Sequence, residues 1–93
     1  MDKINILVVD DDVEIVYIIR KILAEEGFNV LEAYNGEEAL SLLSSQSVRL
    51  VILDIMMPKM NGLLATMKIR EKSNVPILIL SAKGEESDRV IGL

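Results

Sequence analysis

The chain has 93 residues, of which 51% are apolar, and it carries a formal net charge of −5. This length allows one small domain with a buried core, and the acidic balance argues against non-specific binding of nucleic acid by this segment. Because the sequence contains neither cysteine nor histidine, it excludes disulfides, thiolate sites and histidine-based catalysis. It has no apolar run long enough to cross a membrane and no signal-peptide pattern, so we expect a cytoplasmic protein.

The N-terminal residues predict a buried strand that leads into a helix. Ile4–Val9 is a short apolar run of the kind found in strands that are buried on both faces. Asp12 is placed to cap the helix that follows, and Gly27 is placed to end it. We expect this helix to bury one apolar stripe, formed by Ile15, Ile18, Ile19, Ile22 and Leu23.

The next residues repeat the alternation of strand and helix. Asn29–Ala33 predicts a short second strand. Asn35, with Glu38 three residues later, is typical of a capping box and predicts a helix that extends to about Ser45. Leu50–Asp54 then predicts a third buried strand, in which four apolar residues run into a single carboxylate.

The last third of the chain continues in the same order. A weakly periodic helix is predicted over Leu63–Glu71, with Asn61 as its cap, and Pro76–Leu80 predicts a fourth strand. Glu85–Leu93 predicts the beginning of a fourth helix. Strict alternation of strands and helices predicts an α/β fold, with helices on both faces of a parallel sheet, as one domain over residues 1–93.

Three carboxylates are expected to meet at one edge of this sheet. Asp10 and Asp11 follow the first strand and Asp54 ends the third, and the carboxyl ends of parallel strands form the edge where ligands bind. Three such charges repel one another unless a cation compensates them. Mg²⁺ suits this group because it takes few protein oxygens and keeps waters that a phosphate can replace. The alternative is that Asp10–Asp12 ends a strand and caps a helix.

Asp54 is also a candidate nucleophile. A carboxylate oxygen held beside a metal can attack phosphorus and form an acyl phosphate. Ser81, at the end of the fourth predicted strand, is placed to donate a hydrogen bond to a phosphoryl oxygen on Asp54, or else it is a turn residue. Lys83 lies close by in sequence, but a solvated loop is the simpler interpretation.

Three segments together resemble the receiver domain of two-component response regulators. They are Ile6–Asp12, Leu53–Gly62 and Leu80–Lys83, and their order and spacing fit along the whole chain. The loop Asp54–Pro58 and the stretch Ser81–Glu85 look most like the OmpR/PhoB branch. The resemblance implies a flavodoxin-like fold with sheet order 2-1-3-4-5. It also implies a phosphoprotein that regulates transcription through a DNA-binding domain outside this chain, rather than an enzyme that acts on external substrates.

The same resemblance implies roles for individual residues. Asp54 would accept a phosphoryl group from a phosphohistidine on a sensor histidine kinase. Asp10 and Asp11, together with Asp54 and the backbone carbonyl of Met56, would hold Mg²⁺. Ser81 would be the switch hydroxyl that moves toward the phosphoryl group.

Receiver domains usually extend further than this chain. We therefore expect a truncated receiver domain with sheet order 2-1-3-4, in which the fifth strand and helix are missing. The family's phosphate-contacting lysine lies at the end of that fifth strand, a position that Lys83 does not match. Without a fifth strand, Val75–Leu80 would be an uncharged, exposed edge. Because such an edge pairs readily with another chain, we expect self-association through it.

The first helix also carries apolar residues off its predicted buried stripe. Val13, Val16 and Tyr17 are expected on its outer side, next to the acidic residues. An apolar patch beside a phosphorylation site is a plausible dock for a kinase helix. The alternative is scattered apolar residues on an ordinary surface.

Three other classes of protein share some features with this sequence. A phosphatase of the haloacid type needs a second acid two residues after its nucleophile, and Met56 occupies that position. A flavin or nucleotide carrier needs a glycine-rich phosphate loop after the first strand, which this sequence lacks. A non-phosphorylated structural or interaction module with the receiver fold remains the alternative function.

Overall fold

Strands and helices alternate along the chain in the computed structural model, which describes residues 3–54, 62–80 and 90–92. The elements are β1 (Asn5–Val9), α1 (Val13–Glu25), β2 (Asn29–Ala33), α2 (Gly36–Ser45), β3 (Leu50–Asp54), α3 (Gly62–Lys72), β4 (Ile77–Leu80) and β5 (Val90–Gly92). The elements predicted from the start of the chain to Leu80 are all confirmed, with small differences at their ends. None of the described helices is both long enough and apolar enough to cross a membrane.

The strands form one sheet in the order β2-β1-β3-β4-β5. The first four strands are mutually parallel, so the predicted order 2-1-3-4 is confirmed. Val9 lies opposite Leu53, and Asp54 lies opposite Leu80. This register brings the carboxyl ends of β1, β3 and β4 to the same edge of the sheet.

The C-terminal residues differ from the prediction. Val90–Gly92 is an extended strand that pairs antiparallel with Leu78–Leu80, so the helix predicted over Glu85–Leu93 is wrong for these three residues. The exposed edge predicted over Val75–Leu80 is likewise wrong where β5 covers it. The physical reason is that the unpaired backbone groups of β4 are satisfied by the chain's own next extended segment. Self-association through β4 stays a prediction, but the exposed strand edge on which it was based is covered by β5.

An apolar core lies on each face of the sheet. The face under α2 and α3 is built from Leu7, Val9, Val51, Leu53 and residues of both helices. The opposite face is covered by α1, and its buried members are Ile6, Val8, Val16 and Ile52. Alternate residues of β1 and β3 therefore point to opposite cores, as expected of strands buried on both faces.

The buried stripe of α1 is rotated from the predicted one. Val16 is fully buried and packs with Ile19 and Leu23, whereas Ile18 is 52% and Ile22 is 57% exposed. Ile15 is exposed as well. Apolar residues surround most of this helix, so their spacing alone allows more than one buried face.

The predicted helix ends are confirmed at three places. The Asp12 carboxylate accepts hydrogen bonds from the backbone N–H groups of Glu14 (2.9 Å) and Ile15 (3.4 Å). Asn35 accepts one from the Glu38 N–H at 2.8 Å. Gly27 follows the end of α1 with a φ of 96°, a conformation that favours glycine. Asn61, the predicted cap of α3, lies outside the described residues.

Candidate functional site

Asp10, Asp11 and Asp54 meet at the carboxyl edge of the sheet. Asp10 directly follows β1 and Asp54 is the last residue of β3, and these two strands are parallel neighbours. One carboxylate oxygen from each of the three residues lies within 4.8 Å of the other two. The predicted convergence of the three acids is therefore confirmed.

The local sequence explains why these side chains are held in place. Val9 and Leu53, the residues just before the two aspartates, are buried in the core. The backbone N–H of Asp10 donates to the Ala33 carbonyl at 3.1 Å, which continues the pairing of β1 with β2 by one more residue. The Asp12 carboxylate caps α1, and Asp12 is not one of the three residues of the acidic cluster.

Two of the three carboxylates are removed from solvent. Asp10 and Asp54 are each only 5% exposed, whereas Asp11 is exposed. Burial is the main cause that raises the pKa of Asp10 to about 7. The neighbouring Asp54 carboxylate contributes to this rise, and a hydrogen bond from the Asp12 N–H (3.0 Å) opposes it. Without a cation, Asp10 therefore holds a proton up to about neutral pH.

The chemistry of this group fits a hard divalent cation. Asp10, Asp11 and Asp54 offer three carboxylate oxygens close together, and two of these residues are buried. A small cation that prefers oxygen ligands would offset the repulsion between their negative charges. Asp10, Asp11 and Asp54 could therefore hold a metal ion together. The exposed Asp11 leaves one side of the group open to solvent and to a ligand.

Three predicted residues lie outside the described residues: Met56, Ser81 and Lys83. The backbone carbonyl of Met56 as a metal ligand and the Ser81 hydroxyl as the switch therefore stay predictions. The described residue nearest to Ser81 in sequence is Leu80, which lies opposite Asp54 in the sheet.

Two of the three residues of the predicted docking patch on α1 are exposed, and their docking role stays a prediction. Val13 is 64% and Tyr17 is 53% exposed, but Val16 is fully buried, so its assignment to that surface is wrong. Val16 instead packs on the sheet, because α1 is rotated relative to the predicted stripe. The exposed apolar surface of the helix contains Ile15 and Ile18, which the sequence placed in the core.

A polar network between α1 and β2 was not predicted. The Arg20 guanidinium pairs with the Glu32 carboxylate at 3.1 Å and lies 5.9 Å from the centre of the Tyr17 ring. The Tyr34 hydroxyl donates to the other Glu32 oxygen at 3.0 Å, and this hydrogen bond raises the pKa of Tyr34. The partners lie on different elements, so no spacing in the sequence could have revealed the network.

Comparison with known proteins gives a consistent result. The pattern that describes the response regulator receiver domain matches residues 6–93. The CpxR homolog of Haemophilus influenzae, a transcriptional regulatory protein, is 50% identical over 89 residues, which make up 96% of this chain and 39% of that protein. The chain thus spans about two-fifths of the length of such relatives.

Solved structures show the same fold. The response regulator TrrA of Thermotoga maritima, in complex with Mg²⁺ and BeF, superposes with a TM-score of 0.81 at 43% identity, over 87% of this chain and 71% of that chain. TrrA in complex with the histidine kinase ThkA gives a TM-score of 0.81 at 42% identity, over 88% and 72%. These neighbours have the flavodoxin-like receiver fold that the sequence predicted.

Proposed function

The chain belongs to the response regulator receiver domain family, and we propose that it is the phosphoacceptor of a two-component system, with Asp54 as the phosphorylated residue. The observation that carries this proposal is the position of the Asp54 carboxylate. It lies at the end of a buried strand, beside Asp10 and Asp11, with oxygens of all three within 4.8 Å of one another. A non-phosphorylated module would have no need of this group of acids.

The proposed reaction moves one phosphoryl group from a kinase to this chain. A carboxylate oxygen of Asp54 attacks the phosphorus of a phosphohistidine on a sensor histidine kinase. The new O–P bond forms as the P–N bond breaks, and the imidazole nitrogen leaves with the electron pair. The product is an acyl phosphate on Asp54, formed by nucleophilic chemistry at a carboxylate. The chain is thus a substrate that assists its own phosphorylation, and not an enzyme for external substrates.

The other two aspartates have separate tasks. Asp10 and Asp11, with Asp54, are the side chains that would hold Mg²⁺, and its charge would offset the negative charge of the transferred phosphoryl oxygens. Asp10 is buried and its backbone N–H is fixed to β2, so it positions the group. Asp11 is exposed and is the side chain that an incoming phosphoryl group would meet first. The carbonyl of Met56 and the hydroxyl of Ser81 complete the proposed set.

The proposed partner is the helical domain of a sensor histidine kinase. Its docking surface on this chain is the exposed apolar side of α1 close to the aspartates, now defined by Val13, Ile15, Tyr17 and Ile18. Support for this kind of partner comes from the solved complex of TrrA with the kinase ThkA. The output would be transcription, through a DNA-binding domain elsewhere in a longer cytoplasmic protein.

Beryllofluoride, a stable mimic of the phosphoryl group, provides the test. In the chain already bound to Mg²⁺, we expect beryllofluoride to shift the backbone amide NMR signals of Asp10, Asp11 and Asp54, and we expect beryllofluoride without Mg²⁺ to leave them unchanged. Asp54→Asn should abolish the response, whereas Asp12→Asn, which keeps the helix cap, should retain it. An equal response in the Asp54→Asn variant would refute the phosphoacceptor assignment and favour an interaction module.

A further inference from the structure

The outer edge of β2 is an unpaired strand edge in the described part of the chain. β2 is the terminal strand of the sheet and pairs with β1 alone. The Asn29 N–H donates to the Ile4 carbonyl (2.9 Å), and the Ala33 carbonyl accepts from the Asp10 N–H (3.1 Å). Because successive residues of a strand present their backbone groups to opposite sides, Val30 and Glu32 direct theirs outward, away from β1.

One end of this edge is basic. A groove of about 500 Å³ runs along it, between α1 and the beginning of β2. Lys3 and Lys21 line the groove together with the ring of Phe28, and Glu25 is its one acidic member. Arg20 also lines the groove, but it is paired with Glu32. These cations are gathered in a chain whose net charge is −5.

The other end of the edge is acidic. A second groove, of about 360 Å³, is lined by Glu32, Tyr34, Glu38, Ser41 and Leu42, none of which is basic. Because Glu32 is paired with Arg20, the negative charge of this end comes from Glu38. The Glu38 carboxylate accepts a hydrogen bond from the Tyr34 N–H at 2.8 Å, so the open part of the edge stops before Tyr34. The strand edge therefore runs from a positive end to a negative end.

We propose that this chain pairs with a second copy of itself through the outer edges of their β2 strands, arranged antiparallel about a two-fold axis at Leu31. That arrangement places Val30 opposite the partner's Glu32, where the outward backbone groups of both can hydrogen-bond. It also sets Phe28 opposite the partner's Tyr34, an aromatic pair across strands.

Charge complementarity selects this orientation. An antiparallel two-fold arrangement brings the basic end of each β2 edge against the acidic end of the other. A parallel arrangement would instead oppose like charges at both ends. The dimer is accordingly expected to weaken as salt concentration rises, because the charges at the ends of the edge are exposed and screened.

A charge-swap experiment tests the pairing by sedimentation velocity across a concentration series. Lys21→Glu makes the basic end acidic, and Ser41→Lys makes the acidic end more basic, without touching either helix cap. Each variant alone should dimerise about tenfold more weakly than the unmodified chain, and an equimolar mixture of the two should regain the affinity. Lys68→Glu on α3 is the matched control, since the same charge change lies away from β2.

Val30→Pro tests the backbone contact itself. Proline removes the outward N–H of Val30 but no hydrogen bond to β1, so the fold should survive, as a circular dichroism melt can verify. We expect the Val30→Pro chain to sediment as a monomer. A monomer for the unmodified chain at millimolar concentration, a dimer unaffected by Val30→Pro, or a mixture of the charge variants without recovery would overturn the proposal.

Discussion

Carboxylate oxygens of Asp10 and Asp54 lie within 4.8 Å of each other, at the ends of two neighbouring parallel strands, and both residues are almost fully buried. Burial, and then the neighbouring Asp54 carboxylate, raise the pKa of Asp10. The charged form of Asp10 is therefore costly in the metal-free chain, and a bound cation would lower that cost.

Removing one of the two buried charges should stabilise the metal-free protein. Asp10→Asn keeps the oxygen that accepts from the Asp12 N–H but abolishes the repulsion with Asp54. We expect the free energy of unfolding at pH 8, without Mg²⁺, to rise by about 2 kcal/mol, less than the full pKa shift would give because water reaches the cleft. Urea denaturation measures this change, and Mg²⁺ should stabilise the variant far less than the unmodified chain. A destabilised variant would mean that Asp10 is compensated within the protein.

Stability without metal should fall as the pH rises. The pKa of Asp10 is raised from 3.8 to about 7 in the folded chain, mainly by burial. The folded state thus binds this proton more tightly than the unfolded state does. The contribution of Asp10 to stability is full below pH 3.8 and is lost as the pH rises through about 7. The difference between the unmodified chain and Asp10→Asn, followed by thermal melts from pH 4 to about 8, isolates this effect.

The affinity for Mg²⁺ should depend on pH because of the same Asp10 proton. Below about pH 7 the cation must displace the proton of Asp10, so its affinity should increase with pH and level off above that value. Isothermal titration calorimetry in buffers of different ionisation enthalpy should detect release of up to one proton near pH 6 and little near pH 8. An affinity that does not change between these pH values would contradict the assignment of Asp10 as a ligand.

The sequence was sufficient to predict the parallel sheet and the meeting of the acids. Apolar runs such as Leu50–Asp54 mark buried strands, and a carboxylate at the end of such a run is fixed at the sheet edge by the chain direction alone. The buried face of α1 could not be predicted in the same way. Val13 and the residues up to Ile19 are almost all apolar, so the helix was oriented by its packing on β1 and β2 and by the Arg20–Glu32 pair.

Other features depend on contacts between distant residues. The β5 strand has three residues, too few to carry a period that distinguishes strand from helix, and it is extended because it completes the edge of β4. The rise in the pKa of Asp10 depends on burial and on Asp54, which is remote in sequence. Such quantities follow from the assembled fold and not from any local pattern.

On α1, the residue that packs in the core can be distinguished by mutation from a residue of the proposed docking surface. Val16→Ala removes a fully buried side chain and should lower the free energy of unfolding by about 1–3 kcal/mol. Tyr17→Ser should leave stability nearly unchanged and slow phosphotransfer from a histidine kinase. Met67→Ser on α3 is the control, because Met67 is 64% exposed but lies on another helix.

Phosphotransfer kinetics with a kinase, compared with phosphorylation by acetyl phosphate, distinguish the two roles. Tyr17→Ser should slow the kinase reaction alone, since acetyl phosphate needs no docking surface. Equal slowing of both reactions would mean that Tyr17 acts on the acidic cluster and not on a partner.

The Asp12 cap of α1 should contribute measurably to the free energy of unfolding. Asp12→Ala removes the acceptor of the Glu14 and Ile15 N–H groups and should lower the free energy of unfolding by about 1 kcal/mol. Asp12→Asn retains an acceptor and is the matched control. If both variants lost Mg²⁺ affinity to the same large extent, Asp12 would belong to the cation site rather than to the helix.

Intact-protein mass spectrometry after incubation with acetyl phosphate tests the central claim most directly. With Mg²⁺ present, the unmodified chain should gain the mass of one phosphoryl group, and mild base should remove it, as expected of an acyl phosphate. Without Mg²⁺, or with Asp54→Asn, no gain should appear. A phosphoryl adduct that forms equally well on the Asp54→Asn chain, or no adduct on a folded unmodified chain that binds Mg²⁺, would contradict the account.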